Sequence, residues 1–169
     1  RFSVQNNNIT PCAPNRFSVQ TIDGGYVLTQ SNKIQRILVE LDMWECNPGH
    51  VPIHNETVSD SPPFNSDNYT KILAKIQNIA RHTRPDLAFA VSKLYRYVRS
   101  PTEFNWSQIK NLLRYLKKTI NYGLKIVKEN DAKISTFADA DFSRDESDGK
   151  STSGLVVFFG TPVVWESAK

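Results

Sequence analysis

Residues 80–126 constrain the fold more than any other part of the chain, because they predict two capped helices in direct succession. Thr83 can cap the first helix. Ser100 and Glu103 have the spacing of a capping box at the start of the second. Apolar side chains recur at helical spacing after each cap, so each helix has one face to bury. We therefore predict two packed helices, near residues 84–99 and 101–119.

The second of these helices also carries a basic face. At about 100° per residue, its positive side chains point away from the apolar stripe; they are Lys110, Arg114, Lys117 and Lys118. Residues 81–118 hold nine Lys and Arg side chains against two carboxylates, an excess of seven positive charges, whereas the whole chain has a net charge of +4. This excess favours a polyanionic partner. The alternative is an ordinary solvated helix face. Further candidates for phosphate contacts precede this helix: Lys93, Arg96 and Arg99.

Length and composition bound the class of protein. At 169 residues, the chain can form one domain, or two small ones, with a buried core. Its mean hydropathy of −0.44 and the lack of a long apolar run predict no membrane-spanning helix and no membrane partner. The polar N-terminal residues show no signal-peptide pattern, and two cysteines do not make a secreted disulfide framework. We therefore expect an intracellular protein.

The remaining segments complete the prediction of a small α+β protein. Residues 16–30 predict a β-hairpin that turns at an Asp-Gly-Gly sequence. Helical periodicity predicts further helices near residues 31–46 and 66–82. From Tyr122 onward, short β-rich runs separated by turn residues predict an antiparallel sheet of three or four strands.

Cys46, His50 and His54 have a spacing that could hold a metal ion if they lay on a helix. Pro48 and Pro52 interrupt any such helix. A tetrahedral zinc site would also need a fourth ligand, and no second Cys or further His follows nearby. We therefore favour a loop that contains two histidines by chance.

Several motifs, all in one order, resemble the Pol polyproteins of Ty1/copia-type retrotransposons. The residues that carry the resemblance are TRPD at 83–86, Ala90-Val91, Pro101-Thr102, Trp106, RYLK at 114–117, YGL at 122–124, ADADF at 138–142, KSTSG at 150–154 and PVVW at 162–165. So many matches in register are far more specific than any single short motif. The resemblance covers about residues 16–169.

The resemblance implies the C-terminal part of a reverse transcriptase that runs into the start of a ribonuclease H domain. It implies an end-of-palm hairpin at residues 16–30, a thumb- or connection-like helical bundle at 31–121 and a truncated ribonuclease H-like sheet at 122–169. Residues 1–15 precede the resemblance and are rich in Asn and Pro, and we expect them to form a disordered tail. The parent protein would copy RNA into DNA and degrade the RNA of RNA–DNA hybrids with Mg²⁺. Nucleic acid and the rest of the Pol polyprotein are the implied partners, in a cytoplasmic particle or the nucleus.

Two pieces of that chemistry are missing from the sequence. No Tyr-x-Asp-Asp motif occurs to hold the polymerase magnesium ions. By the resemblance, Asp139 is the first ribonuclease H carboxylate and a candidate metal ligand, whereas the two-metal reaction needs about four carboxylates. Asp141, Asp145 and Asp148 lie too near Asp139 along the chain to surround a pair of metal ions. We therefore expect that the chain alone neither polymerises nor cleaves, and that it does not bind Mg²⁺ tightly.

Nucleic-acid binding is the function that we expect this chain to retain. One alternative is a host protein that serves only as a binding or interaction module. Another is a non-functional remnant of a decayed element. A Tyr-x-Asp-Asp motif upstream, and further carboxylates downstream, would favour a live enzyme.

Overall fold

The computed structural model describes residues 17–54, 60–128, 133–140 and 151–168. The predicted tail at residues 1–15 and the carboxylates of Asp141, Asp145 and Asp148 lie outside these ranges. In the part of the chain that the structure describes, no helix is both long and apolar enough to cross a lipid bilayer.

Four α-helices form the centre of the part of the chain that the structure describes. They are α1 (Ser31–Glu40), α2 (Ser66–His82), α3 (Ala88–Tyr95) and α4 (Glu103–Lys118), and a 3₁₀ turn at Pro85–Leu87 leads into α3. Each helix turns its apolar stripe inward, because no isolated helix can bury such a stripe by itself. The fully buried side chains include Leu38 of α1, Ile76 of α2, Leu94 of α3 and Leu113 of α4. One continuous hydrophobic core therefore joins all four helices.

The first helix ends earlier than its sequence predicts, at Glu40 rather than near residue 46. Asp42 adopts a left-handed conformation with φ of 52°, and its N–H donates to the carbonyl oxygen of Val39 at 3.1 Å. The N–H of Met43 donates to the carbonyl oxygen of Leu38 at 2.7 Å. This pair of bonds is a Schellman motif, which terminates a helix by satisfying its last carbonyl groups.

The caps around α3 and α4 also differ from the sequence prediction. Thr83 ends α2 instead of starting the next helix, and its hydroxyl donates to Gln30 Oε1 at 2.9 Å. The capping box of α4 is formed by Thr102 and Asn105, two residues after the predicted pair. Thr102 Oγ1 accepts the Asn105 N–H, and Asn105 Oδ1 accepts the Thr102 N–H. An asparagine can therefore replace the usual Glu or Gln of the box.

The predicted helix over residues 84–99 is regular only at its centre. It begins as the 3₁₀ turn, and after Tyr95 the chain continues in turns. The N–H groups of Tyr97 and Val98 donate to carbonyl oxygens three residues earlier, at 3.2 and 3.3 Å. Such i→i−3 bonds are typical of a helix end that tightens before it stops.

Within the described ranges, two three-stranded antiparallel sheets lie beside the helices. The first contains β1 (Ser18–Ile22), β2 (Gly25–Thr29) and β3 (Gly123–Val127), in that order. The second contains β4 (Ile134–Ala140), β5 (Ser153–Phe159) and β6 (Thr161–Ala168), in that order. The strand after Tyr122, which was predicted to open the C-terminal sheet, pairs with the N-terminal hairpin instead.

Two glycines explain why β3 pairs with β2. A Cβ atom on Gly123 would lie 2.2 Å from the Leu28 carbonyl oxygen, and one on Gly25 would lie 2.1 Å from that of Ile126. Only glycine permits so close an approach of two backbones. Residues 123–127 therefore belong with residues 25–29, although they are about a hundred residues apart in the chain.

The second sheet is attached to the rest of the molecule through β6. The indole Nε1 of Trp165 donates to the carbonyl oxygen of Ala80 in α2 at 2.8 Å. The hydroxyl of Thr161 donates to the carbonyl oxygen of Lys125 in β3 at 2.6 Å. Strand β4 lies at the opposite side of this sheet from β6.

Candidate nucleic-acid interface

The predicted basic face of α4 divides into exposed and engaged side chains. Lys110 and Arg114 lie one helical turn apart, and both are exposed. The Lys110 Nζ atom lies 5.9 Å from the ring centroid of Trp106, within cation–π range. Arg114 donates from Nη1 to Asn111 Oδ1 at 3.0 Å. This bond uses one of the five N–H donors of its guanidinium group. These two cations are therefore accessible to an anionic partner.

Lys117 is engaged by the segment that follows α1. Its ammonium donates to the carbonyl oxygen of Cys46 at 2.7 Å and lies 6.0 Å from the ring centroid of Trp44. Gly49 packs on the same helix, because its N–H donates to the carbonyl oxygen of Arg114 at 3.0 Å. Lys117 therefore fastens residues 42–50, which we call the covering loop, to α4. The sequence prediction of Lys117 as a phosphate contact did not anticipate this role.

Lys118 also contacts the covering loop, although it stays exposed. Its ammonium lies in hydrogen-bonding contact with Nδ1 of His50. A neutral imidazole nitrogen can accept this bond, whereas a protonated one cannot. The backbone N–H of His54 donates to Gln108 Oε1 at 3.2 Å, and the residue itself is exposed. Among the described residues, no group of three His, Cys, Asp or Glu side chains converges as a metal site would require.

Aromatic rings flank the exposed cations at both ends. Trp106 stacks on Phe64 with ring centroids 4.7 Å apart and an interplanar angle of 11°. At the other end, Trp44 keeps 39% of its surface exposed. Sequence reasoning assigned Trp106 to the apolar stripe and gave Trp44 no role. No signal in the sequence pointed to it, because Trp44 falls inside the helix predicted near residues 31–46 and lies far along the chain from α4.

The other three predicted phosphate contacts lie near the end of α3. Arg99 is exposed, whereas Lys93 and Arg96 are half-buried. Arg96 donates from Nη2 to Thr152 Oγ1 at 2.9 Å, just before β5. Arg96 therefore connects the helices to the second sheet, and Arg99 is the most accessible cation of the three.

Arg84, which the sequence counted within the basic excess, is buried with 1% of its surface exposed. Its Nε and Nη2 atoms donate to the two carboxylate oxygens of Asp86 at 2.9 and 2.7 Å. Its Nη1 and Nη2 atoms donate to the carbonyl oxygen and the hydroxyl of Thr119 at 3.0 and 2.7 Å. Its guanidinium carbon lies 5.6 Å from the ring centroid of Tyr115 and 5.4 Å from that of Tyr122. This cation is thus internal to the fold and contributes nothing to a nucleic-acid surface.

The same cluster perturbs the titration of Asp86. Burial of its carboxylate would raise the pKa of Asp86, but hydrogen bonds and charge from Arg84, together with the hydroxyl of Tyr115, outweigh burial. The pKa of Asp86 is therefore held below its ordinary value. Burial and the neighbouring carboxylate raise the pKa of Tyr115, so its hydroxyl stays protonated and donates to Asp86 at 2.9 Å.

Asp139, the predicted first catalytic carboxylate, lies exposed on β4. Its Oδ1 atom accepts the backbone N–H of Ala140 at 2.9 Å. In the register of the sheet, Asp139 lies opposite Gly154, whereas Glu166 lies opposite Leu155. Successive residues of a strand face opposite sides of a sheet, so these two carboxylates cannot meet around one metal ion.

Comparisons with known proteins identify the family. The chain is 32% identical over 154 residues to a retrovirus-related Pol polyprotein from transposon RE2 of Arabidopsis thaliana, an alignment that covers 86% of this chain and 10% of the relative. It is 30% identical over 154 residues to the uncharacterized mitochondrial protein AtMg00810 of Arabidopsis thaliana, covering 89% of this chain and 64% of the relative. It is 37% identical over 102 residues to secreted RxLR effector protein 161 of Plasmopara viticola, covering 60% of this chain and 72% of the relative.

The chain therefore belongs to the Pol polyprotein family of copia-type retrotransposons, which confirms the resemblance in the motifs. It spans about a tenth of the length of the transposon Pol polyproteins that it matches. No family model matches the chain, and no solved structure matches it.

Proposed function

We propose that this chain binds the phosphate backbone of nucleic acid through the exposed cations of α4. We call Lys110, Arg114 and Lys118 the basic stripe; they follow one another at intervals of four residues and share one side of the helix. Within the described part of the chain, none of the three forms an ion pair with a carboxylate. This is the observation that carries the proposal, because cations left without carboxylate partners are available to phosphate groups.

The contact between Lys117 and the covering loop lowers the number of phosphate contacts that we expect from α4. Since its ammonium is held by the covering loop, the basic stripe offers three phosphate contacts rather than four. Contacts to phosphate carry no sequence information, so binding should be indifferent to base order. Neutralising about three phosphates predicts that log K falls with log salt concentration at a slope of about −3.

Fluorescence anisotropy with a labelled duplex tests this proposal. We expect the double charge reversal Lys110→Glu/Arg114→Glu to weaken binding by at least about tenfold and to flatten the salt dependence. The matched control is Arg36→Glu/Lys128→Glu, which changes the net charge equally at two exposed positions on α1 and at the end of β3. Equal losses in both variants would show a non-specific charge effect and would overturn the assignment to α4.

We further infer that, in the longer Pol polyproteins, this region lies where the reverse transcriptase meets ribonuclease H. The support is the order of elements: a hairpin, a helical part and an antiparallel sheet whose first strand carries Asp139. The described residues do not fit a two-metal centre, since Asp139 has no second carboxylate on its face of the sheet. We therefore assign no catalytic step to this chain.

The corresponding experiment incubates the purified chain with a labelled RNA–DNA hybrid and Mg²⁺ or Mn²⁺. The control is Asp139→Asn. We expect no cleavage by either protein. Cleavage by the unmodified chain alone would mean that a complete carboxylate set assembles, and the inference that this chain is inactive would be wrong.

A further inference from the structure

We propose that His50 of the covering loop completes a phosphate-binding site with Lys118, and that its imidazole takes up a proton when phosphate binds. This inference rests on the proposed function, because Lys118 is the last cation of the basic stripe. The Lys118 ammonium lies in hydrogen-bonding contact with Nδ1 of the imidazole and 3.3 Å from its Nε2 atom. Both side chains are exposed. A phosphate group that reaches Lys118 therefore also meets the imidazole.

Contacts on both sides of His50 hold it beside α4. The N–H of the preceding residue, Gly49, donates to the carbonyl oxygen of Arg114 at 3.0 Å. A Cβ atom on Gly49 would lie only 3.2 Å from Cβ of Arg114, so the loop packs closely on the helix. Lys117 holds the carbonyl oxygen of Cys46 at 2.7 Å. The imidazole is thus positioned before any ligand arrives, which lowers the entropy cost of binding.

The contact with Lys118 requires a neutral imidazole. An ammonium group has three donors and no acceptor, so the ring nitrogen that it contacts must accept. A protonated imidazole has a donor on each nitrogen and places a second positive charge beside the first. A phosphate oxygen can accept from the ammonium and the imidazolium together, and its negative charge offsets their repulsion. Phosphate binding and proton uptake by His50 therefore favour each other, and linkage makes the two effects equal.

The charges around His50 favour an external anion as its partner. In the described part of the chain, no carboxylate forms an ion pair with His50. The residue also lies beside the last turn of α4, and a positive charge is favourable at that end of a helix. The charged or titratable side chains on the covering loop and on the side of α4 beneath it are Asp42, Glu45, Cys46, Arg114, Lys117 and Lys118. Three cations against two carboxylates leave this place positive, as a phosphate site requires.

Fluorescence anisotropy with a labelled duplex tests the proton linkage, in salt series at about pH 5 and about pH 8, the limits of the range in which histidine changes charge. At the lower pH we expect the unmodified chain to bind about three- to fivefold more tightly, as one more exposed charge contact allows. The slope of log K against log salt concentration should steepen from about −3 to about −4, because a fourth phosphate is neutralised. His50→Gln keeps a hydrogen-bonding group but cannot take up a proton, so its salt slope should be the same at both pH values. The matched control, His54→Gln, removes another exposed histidine of the same segment and should keep the pH dependence.

The outcomes separate this inference from the proposed function. Equal pH dependence in the unmodified chain and in His50→Gln would overturn this inference and leave the proposed function intact. A chain that binds no duplex at either pH would overturn both. Circular dichroism at both pH values checks that His50→Gln stays folded.

NMR of the imidazole nitrogens gives a second readout. Adding the duplex should make the His50 ring protonate at a higher pH, because linkage is reciprocal, and should leave the His54 ring unchanged. A His50 ring that titrates alike with and without bound duplex would overturn the proposal.

Discussion

The guanidinium of Arg84 donates two hydrogen bonds to Thr119, one to its carbonyl oxygen at 3.0 Å and one to its hydroxyl at 2.7 Å. Thr119 is the C-cap of α4, where helix carbonyl groups lack partners within the helix. A cation is favourable at that end of a helix dipole. Since Asp86 holds the other side of the same guanidinium, Arg84 joins the start of the α3 region to the end of α4.

Replacing Arg84 should therefore destabilise the fold rather than weaken a surface interaction. We expect Arg84→Ala to lower the free energy of unfolding by about 1–3 kcal/mol, because it removes a buried guanidinium and leaves the carbonyl and hydroxyl oxygens of Thr119 without their donor. The matched control is Arg81→Ala, at an exposed arginine three residues earlier. This substitution should change the free energy of unfolding by less than about 0.5 kcal/mol. Urea denaturation of both variants measures the difference, and similar values would contradict the role of Arg84.

Asp86 should make the protein sensitive to acid. Its pKa is lowered in the folded state, so the ionised carboxylate contributes stability above its unfolded pKa of about 3.9, and this contribution is lost as pH falls through the folded pKa. The Asp86 side chain keeps 35% of its surface exposed, so solvent screens its ion pair, and we expect Asp86→Asn to lower the free energy of unfolding by about 1 kcal/mol at neutral pH. The stability of this variant should also depend less on pH below about pH 4. Denaturation across pH 2–7 measures this (roughly the range over which carboxyl groups titrate). Parallel curves for both proteins would contradict the assignment.

Much of the helical core could be predicted from apolar periodicity alone. The apolar residues that recur at helical spacing in α2 are buried, among them Tyr69, Ile72 and Ile76, and α2 occupies residues 66–82 as predicted. The pattern succeeds there because burial of one helix face is a local property of the sequence. The hairpin at β1 and β2 follows in the same way from its turn residues.

Contacts between distant segments could not be predicted from local patterns. Lys117 and Arg84 were counted as surface charges, but their partners lie 71 residues away at Cys46 and 35 residues away at Thr119. Helical spacing tells which side of a helix a cation occupies, not which loop lies over that side. The pairing of β3 with β2 escaped prediction for the same reason, because strand partners are chosen by tertiary structure.

Removing the Lys117 side chain should loosen the covering loop. We expect Lys117→Ala to raise the hydrogen-exchange rate of the Gly49 amide by about tenfold, because the loop loses one of its polar contacts with α4 and keeps the backbone bond of Gly49 and the contact of His50 with Lys118. Lys110→Ala is the control, since that side chain contacts Trp106 and not the loop. An unchanged rate in Lys117→Ala would show that the loop is held by its other contacts.

Two glycines in strands should respond oppositely to the same substitution. Gly123→Ala places a Cβ atom 2.2 Å from the Leu28 carbonyl oxygen, so β2 and β3 must separate, and we expect a loss of about 1–3 kcal/mol in the free energy of unfolding. Gly154→Ala on β5 is the matched control, because nothing lies within 4 Å of its added Cβ atom. That variant should be neutral or more stable by up to about 1 kcal/mol, through the lower entropy of its unfolded chain. Thermal and urea denaturation compare the two. If Gly123→Ala were as stable as Gly154→Ala, the pairing of residues 25–29 with 123–127 would be wrong.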